Sequence, residues 1–251
     1  KFIEEIFWGT YWRGWLETYP SIYREYEAIN DDRFIPSKTG IKCFDRWTEE
    51  LIETGYLHNH SRMWYASIWI FTLGYTWFSG ANFFKNNLID WCPASNTLSW
   101  RWVAGLQTIG KPYIAKAENI KHFTRNRYNP SGQLNENIDF SVFNKARKEN
   151  LNPNFENIQH HDLSKNIKNL GIIINKNDLS LDQIFNGLNI NFEVCLFIKK
   201  SKKKLVNDFE NDLYKDIINK TEINISTTYE NVFEWIKKRK IKNLILPYET
   251  I

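Results

Sequence analysis

The run Gly55-Tyr56-Leu57-His58-Asn59-His60-Ser61-Arg62-Met63-Trp64-Tyr65-Ala66-Ser67-Ile68-Trp69-Ile70-Phe71 decides the fold class of this chain. Gly55 closes a helix that the spacing predicts over residues 43–54. Residues 62–77 are apolar nearly all round (Met63, Trp64, Ile68, Trp69, Ile70, Phe71, Leu73), the pattern of a helix buried on every side. The segment is therefore expected to be the central helix of an all-α domain. It is too short, and too closely flanked by polar residues, to cross a membrane. Upstream, Phe2, Ile3, Ile6, Phe7, Tyr11, Trp12, Trp15 and Leu16 recur at the steps of one apolar helix face. The helical pattern extends from residue 2 to about 144, interrupted by a polar stretch at 29–38 that closes in the turn Ser37-Lys38-Thr39-Gly40.

Downstream the pattern changes. Residues 149–168 (ENLNPNFENIQHHDLSKNIK) are polar, Asn-rich and without period, and read as a linker. Beyond them lie short β-branched or apolar runs at 170–174, 192–198, 223–225 and 244–246, with helical segments at 181–188, 203–219 and 229–240. Strand alternating with helix is the pattern of a parallel α/β layer. The expected architecture is an all-α domain over 1–148, a linker over 149–168 and a smaller, partial α/β domain of Rossmann-like type over 169–251. The chain starts with Lys1 inside a helical pattern and stops on a strand followed by Pro247-Tyr248-Glu249-Thr250-Ile251, so both ends read as cut.

At 251 residues with 42% hydrophobic content the chain can bury a substantial core. The start lacks the layout of a signal peptide, and a cytoplasmic location with no membrane partner is expected. Cys43, Cys92 and Cys195 are far apart and form no CxxC, which argues against a disulfide framework or structural zinc. All but one of the eleven Trp, Trp235, lie before position 103, so the aromatic load belongs to the helical part. The formal charge of +4 hides an asymmetry: residues 101–127 hold Arg101, Lys111, Lys116, Lys121, Arg125 and Arg127 against the single acid Glu118. A solvated face and a surface for a polyanion such as nucleic acid both fit that segment.

No nucleophilic triad, Walker loop or Gly-rich dinucleotide turn is present, and the five His lack further ligands at metal-binding spacing. What stands out is Asn59, Arg62, Asp90 and Asn96, four polar side chains on an apolar background that a core does not accept unpaired. An Arg62–Asp90 ion pair tying two helices together is one reading. The other adds the two amides and nearby indoles as the lining of a pocket for a flat heteroaromatic cofactor with hydrogen-bonding edges.

Taken in order, several pieces resemble the FAD-binding helical domain of the DNA photolyase and cryptochrome family over residues 1–130. They are the Lys38-Thr39-Gly40 turn followed by Asp45, the segment from Gly55 to Met63, the Leu88-Ile89-Asp90 turn, and Ala94-Ser95-Asn96 leading to Trp100-Arg101-Trp102. The resemblance implies FAD as cofactor, bound by Asn59, Arg62, Asp90, Cys92 and Asn96, with the Arg62–Asp90 pair beside the isoalloxazine ring and Asn96 facing flavin N5. It implies electron transfer through Trp100 and Trp77, with Tyr23 or Tyr26 in place of an outer Trp. It also implies damaged DNA as partner, an extruded pyrimidine dimer meeting Glu5, Trp8, Tyr56, Asn59, His60 and Met63, and a phosphate-contacting rim over 101–127. Trp47, Trp64 and Trp69 are expected to pack the core.

Some positions depart from the family pattern. Gly9 stands where Arg is usual after Trp8, and Cys92 and Pro93 stand where a second Asp is common. The hydroxyl-rich loop that grips the FAD phosphates lies upstream of the Trp8 helix in the family and has no counterpart in these residues. The α/β segment follows the helical domain, whereas photolyases usually place theirs before it. The activity implied is blue-light-driven repair of pyrimidine dimers; a photoreceptor without repair, or a non-photoactive remnant of the fold, are the alternatives.

Overall fold

The computed structural model describes residues 2–28, 36, 38–138, 153, 167–179, 191–201, 203–220 and 222–247, except the side chains of Phe2, Glu5, Glu27, Ala28 and Lys220. The chain forms two compact units that divide between Phe155 and Glu156. Most of the expected linker, residues 149–168, and the expected helix over 181–188 fall outside the described residues.

The first unit is helical: α1 (Phe2–Thr18), α2 (Ser21–Ala28), α3 (Lys42–Thr54), α4 (Asn59–Ser67), a π-helical turn (Ile68–Thr72), α5 (Trp77–Asn87), α6 (Pro93–Val103) and α7 (Ala117–Phe123). The start of α3 is fixed by Asp45, whose carboxylate accepts from the Thr39 N–H (2.9 Å), the Thr39 hydroxyl (2.7 Å) and the Gly40 N–H (3.1 Å). Its end is fixed by Gly55, left-handed at φ 70°, whose N–H returns to the Leu51 carbonyl. The apolar stripe of α3 (Cys43, Phe44, Trp47, Leu51) is buried. Phe44 stacks on Tyr65 with ring centroids 4.2 Å apart, and the Tyr65 hydroxyl lies 3.0 Å from that of Thr48. Burial pushes the Tyr65 phenol far above its ordinary range. Trp47 stacks on Trp64, and both are buried with Trp69, in the packing role expected of them.

The expected single helix over 62–77 is broken. α4 stops at Ser67, the π-helical turn follows, Gly74 takes φ 74°, and α5 begins at Trp77. The break is stabilised by side chains that hydropathy does not reveal. The Trp69 indole N–H donates to the Thr76 carbonyl and the Ser79 hydroxyl, both at 3.1 Å, and the Thr76 hydroxyl accepts from the Ser79 N–H at the head of α5. The helical pattern read to about residue 144 also stops earlier: α7 ends at Phe123, and the described residues that follow, to 138, form turns and extended chain.

The second unit contains a four-stranded, wholly parallel sheet in the order β3-β2-β1-β4, built from β1 (Leu170–Ile174), β2 (Phe192–Phe197), β3 (Ile223–Ser226) and β4 (Asn243–Ile245). The strands fall on the four runs expected, and α8 (Lys204–Lys220) and α9 (Tyr229–Arg239) fill two of the helical intervals. Side-chain alternation assigns the faces. Leu170, Ile172, Ile174, Val194 and Leu196 pack with Tyr214 and Ile217 of α8, while Ile173, Cys195 and Phe197 pack with Val232 and Trp235 of α9. Gly171 leaves room for the Trp235 ring and Ile241, which a Cβ would meet at 2.8 Å.

The three cysteines are free. Cys43 and Cys195 are buried and Cys92 is half-buried. Burial pushes the Cys43 thiol up to about 11, so it presents almost no thiolate at neutral pH. Thiol titration of the native protein at pH 8 is expected to modify Cys92 alone, with Cys43 and Cys195 reacting after denaturation; rapid modification of Cys43 in the native state would contradict this packing.

Candidate flavin site

The site is assembled from the loop before α4, α4 itself, the turn after α5, and the start of α6. The Ile89 N–H donates to the Gly55 carbonyl at 3.0 Å, which ties the loop before α4 to the turn after α5. His58 caps α4, its Nδ1 accepting from the His60 N–H at 3.3 Å. Cys92 is held extended (φ −119°, ψ 118°), as the residue before a proline is, and Pro93 opens α6.

Arg62 joins these pieces. Its Nε donates to the Leu57 carbonyl at 2.7 Å, its Nη2 donates to both carboxylate oxygens of Asp90 at 2.9 and 3.2 Å, and its guanidinium carbon lies 5.2 Å from the centre of the Tyr56 ring. Nη1 has no hydrogen-bond partner among the described residues. Asn96 donates through Nδ2 to the Cys92 carbonyl at 3.2 Å, and its Oδ1 accepts no hydrogen bond from a described residue. The Trp91 indole N–H, next in sequence to Asp90, is buried without a partner among the described residues.

The structure pairs Arg62 with Asp90, but not inside a core. The Arg62 side chain is 18% exposed and that of Asp90 47%. Asn59 is exposed, while Asn96 and Cys92 are half-buried. All four polar side chains therefore reach solvent, which removes the demand for mutual pairing that a core would impose. An exposed pair of this kind contributes about 1 kcal/mol or less on its own. The set still fits an isoalloxazine edge: it offers an unengaged guanidinium N–H, an amide oxygen, a carboxylate and a fixed positive charge, where such a ring presents several acceptors and one N–H.

Trp8 is 55% exposed on α1 and stacks on Trp12, with centroids 5.9 Å apart at 26°. The Glu5 side chain lies outside the described residues. Tyr56 and His60 are exposed and Met63 is half-buried; the His60 ring lies on Trp64 (5.8 Å, 26°) and 5.6 Å from Phe123. Both α1 and α4 pack on α6, so the helix that carries Asn96 is the common neighbour of the Trp8 and Arg62 helices.

Trp100 is buried, edge-on to Trp69 (6.1 Å) and Phe84 (5.0 Å), while half-buried Trp77 stacks on Tyr26 (5.8 Å, 26°). The Trp100 ring packs over Gly80, one helical turn from Trp77, so both indoles belong to the same side of α5. Arg101 corrects the expectation of a wholly solvent-facing rim over 101–127. It is 3% exposed and sits 5.6 Å over the Trp77 ring, whereas Lys111, Lys116, Lys121, Arg125 and Arg127 are exposed. Its position was legible: Ala94, Thr97, Leu98 and Arg101 recur at helical steps, all four buried, on one face of α6. The Leu57 carbonyl as partner of Arg62 was not legible, because a backbone acceptor leaves no mark on side-chain pattern.

Among the described residues no helix is long and apolar enough to cross a membrane, and no group of three His, Cys, Asp or Glu is placed to hold a metal ion. A family model described as the FAD binding domain of DNA photolyase matches residues 2–139. The chain is 29% identical over 125 residues to the deoxyribodipyrimidine photo-lyase of Escherichia coli K12, covering 45% of this chain and 26% of that protein. It is 33% identical over 96 residues to the enzyme of that name from Alkalihalophilus pseudofirmus (37% and 20% covered). Against that from Streptomyces griseus it is 39% identical over 74 residues (30% and 16% covered). The chain thus spans at most about a quarter of the length of these relatives. No solved structure matches it significantly. The family match covers more than half of the chain and fixes its cofactor as FAD, and the protein belongs to the DNA photolyase family through its FAD-binding domain.

Proposed function

We propose that this chain is a photolyase-like flavoprotein that repairs pyrimidine dimers in DNA under blue light, with 1–148 as the flavin-binding domain, 169–251 as a partial, Rossmann-like α/β module, and 149–168 between them. The observation that carries the reading is the convergence on α6 of α4, whose Arg62 pairs with Asp90, and of α1, which bears exposed Trp8. FAD, when bound and reduced, supplies the absorption of blue light and the electron that opens the dimer.

This chain's residues do the rest. Arg62, with Asp90 orienting it, places a fixed positive charge at the cofactor ring; Asn96 and Asn59 present amides to it, and Cys92 fixes the start of the Asn96 helix. Trp8 offers an exposed indole for a base taken out of the stack, and Glu5, Tyr56, Asn59, His60 and Met63 are the other residues assigned to that base. Trp100 and Trp77 are the electron-relay residues, with Tyr26 outside Trp77 in the place where the family pattern calls for a third Trp. The Arg101 guanidinium over Trp77 and the Lys85 ammonium over Tyr26 make positive charge on either ring costly. Exposed Lys111, Lys121, Arg125 and Arg127 supply phosphate contacts.

Repair of a dimer-containing oligonucleotide by the FAD-loaded protein under blue light tests the reading. Trp8→Ala is expected to weaken binding of that oligonucleotide roughly tenfold while FAD is retained. Flavin bleaching without repair would overturn the repair assignment in favour of a photoreceptor, and unchanged lesion binding by Trp8→Ala would remove Trp8 from the lesion site.

A further inference from the structure

The second unit carries two lysine-rich segments at opposite ends of its sheet, and their electrostatic settings differ. At the amino end, Lys237, Lys238 and Arg239 form the last turn of α9 and Lys240 caps it, where positive charge complements the helix carbonyls. Arg239 also reaches Glu193 (3.5 Å) and Glu222 (3.6 Å).

At the carboxyl end, Lys199-Lys200-Ser201-Lys202-Lys203-Lys204 follows β2 and leads straight into α8. Positive charge there faces the unfavourable end of the helix, and α8 has no acidic residue in its first turn to offset it. Exposed Lys199, Lys200 and Lys204 form no ion pair with a described residue. Of the first carboxylates along α8, Glu210 is buried and taken by Lys176 at 2.7 Å. Burial lowers the Lys203 ammonium below its ordinary range, the direction that disfavours its charge.

Ser201 is nevertheless tied to α8 by hydrogen bonds. The Ser201 N–H donates to Asn207 Oδ1 (2.7 Å), Asn207 Nδ2 donates back to the Ser201 carbonyl (2.9 Å), and the Lys203 N–H donates to the Ser201 hydroxyl (3.2 Å). Like charges at Lys199, Lys200 and Lys204 are thus concentrated past the carboxyl end of β2, next to a hydrogen-bonded Ser201. A bound polyanion offsets this repulsion.

We propose that exposed Lys199, Lys200 and Lys204 form a phosphate-binding surface for a nucleic-acid backbone. Exposed lysines on an open turn are point charges suited to a run of phosphodiesters, which need no base-specific geometry. The choice of nucleic acid rests on the reading of the chain as a DNA-binding flavoprotein, but the test needs neither light nor a lesion. Binding of an undamaged duplex of about 20 base pairs is measured in the dark from about 50 to 200 mM salt. Replacing Lys199, Lys200 and Lys204 by Gln is expected to lower the slope of log affinity against log salt by about 2 to 3, and affinity at low salt by roughly tenfold or more. Replacing Lys237, Lys238 and Lys240 by Gln removes the same net charge and is expected to leave the slope nearly unchanged. Equal effects of the two triple variants, or an unchanged slope in the first, overturn the proposal. So does full displacement of the duplex by ATP, which belongs to a mononucleotide site. Loss of dimer repair with this salt behaviour intact would instead count against the repair reading alone.

Discussion

Arg62→Ala is expected to give a folded protein that no longer retains FAD. The Arg62–Asp90 pair is open to solvent on the aspartate side, so its own contribution to stability is small, about 1 kcal/mol or less. The Leu57 carbonyl is a different matter, because Leu57 is fully buried and loses the 2.7 Å bond from Nε. Leaving such an acceptor unmet costs about 1–3 kcal/mol. Melting should therefore shift by a few degrees, consistent with native structure. On the proposed assignment the flavin loses a charge-assisted donor, about 1.5–3 kcal/mol, or roughly ten- to a hundredfold in Kd. Arg62→Lys should recover little, since one ammonium cannot serve both the Leu57 carbonyl and the Asp90 carboxylate while lying over Tyr56. Flavin fluorescence titration of the apoprotein, read beside its melting curve, decides the matter. Unchanged FAD affinity with a lowered melting temperature would make Arg62 only the tie between two loops.

The contrast between Arg62 and Arg101 explains how far the sequence could be read. The two central strands were legible because a parallel sheet covered on both faces needs near-continuous apolar runs, and 170–174 and 192–197, the latter broken only by Glu193, are such runs. α3 was legible because Gly55 and its apolar stripe are local signals. The break between α4 and α5 was not, since Trp69 stabilises it by donating to Thr76 and Ser79 seven and ten residues on, and an apolar count treats that indole as a core filler. The Arg62–Asp90 pairing could be anticipated from charge complementarity. Its exposure could not, because exposure depends on how α4 and the turn after α5 meet, and composition carries no information on that angle.

Gly80→Ala is expected to be the most destabilising single methyl group that can be added to the helical unit. A Cβ at this position would fall well inside van der Waals contact with Cη2 and Cζ3 of Trp100 and 3.0 Å from Trp69 Nε1. Neither ring can yield: both are buried, the Trp69 N–H is bonded to Thr76 and Ser79, and Trp100 is wedged edge-on against Trp69 and Phe84. Alanine gains about 1 kcal/mol of helix propensity over glycine, and overpacking of a close-packed interior costs about 1–3 kcal/mol or more, so the clash wins and the melting temperature falls. Trp100→Phe frees the space the methyl needs, and the double variant should be more stable than the sum of the two single changes implies. The same substitution separates packing from redox chemistry. If Trp100 relays electrons, the Gly80→Ala/Trp100→Phe protein regains stability but photoreduces its flavin far more slowly than the parent, since a phenyl ring is much harder to oxidise than an indole. Parent-like photoreduction in that variant would leave Trp100 as a wedge between α5 and α6 and nothing more.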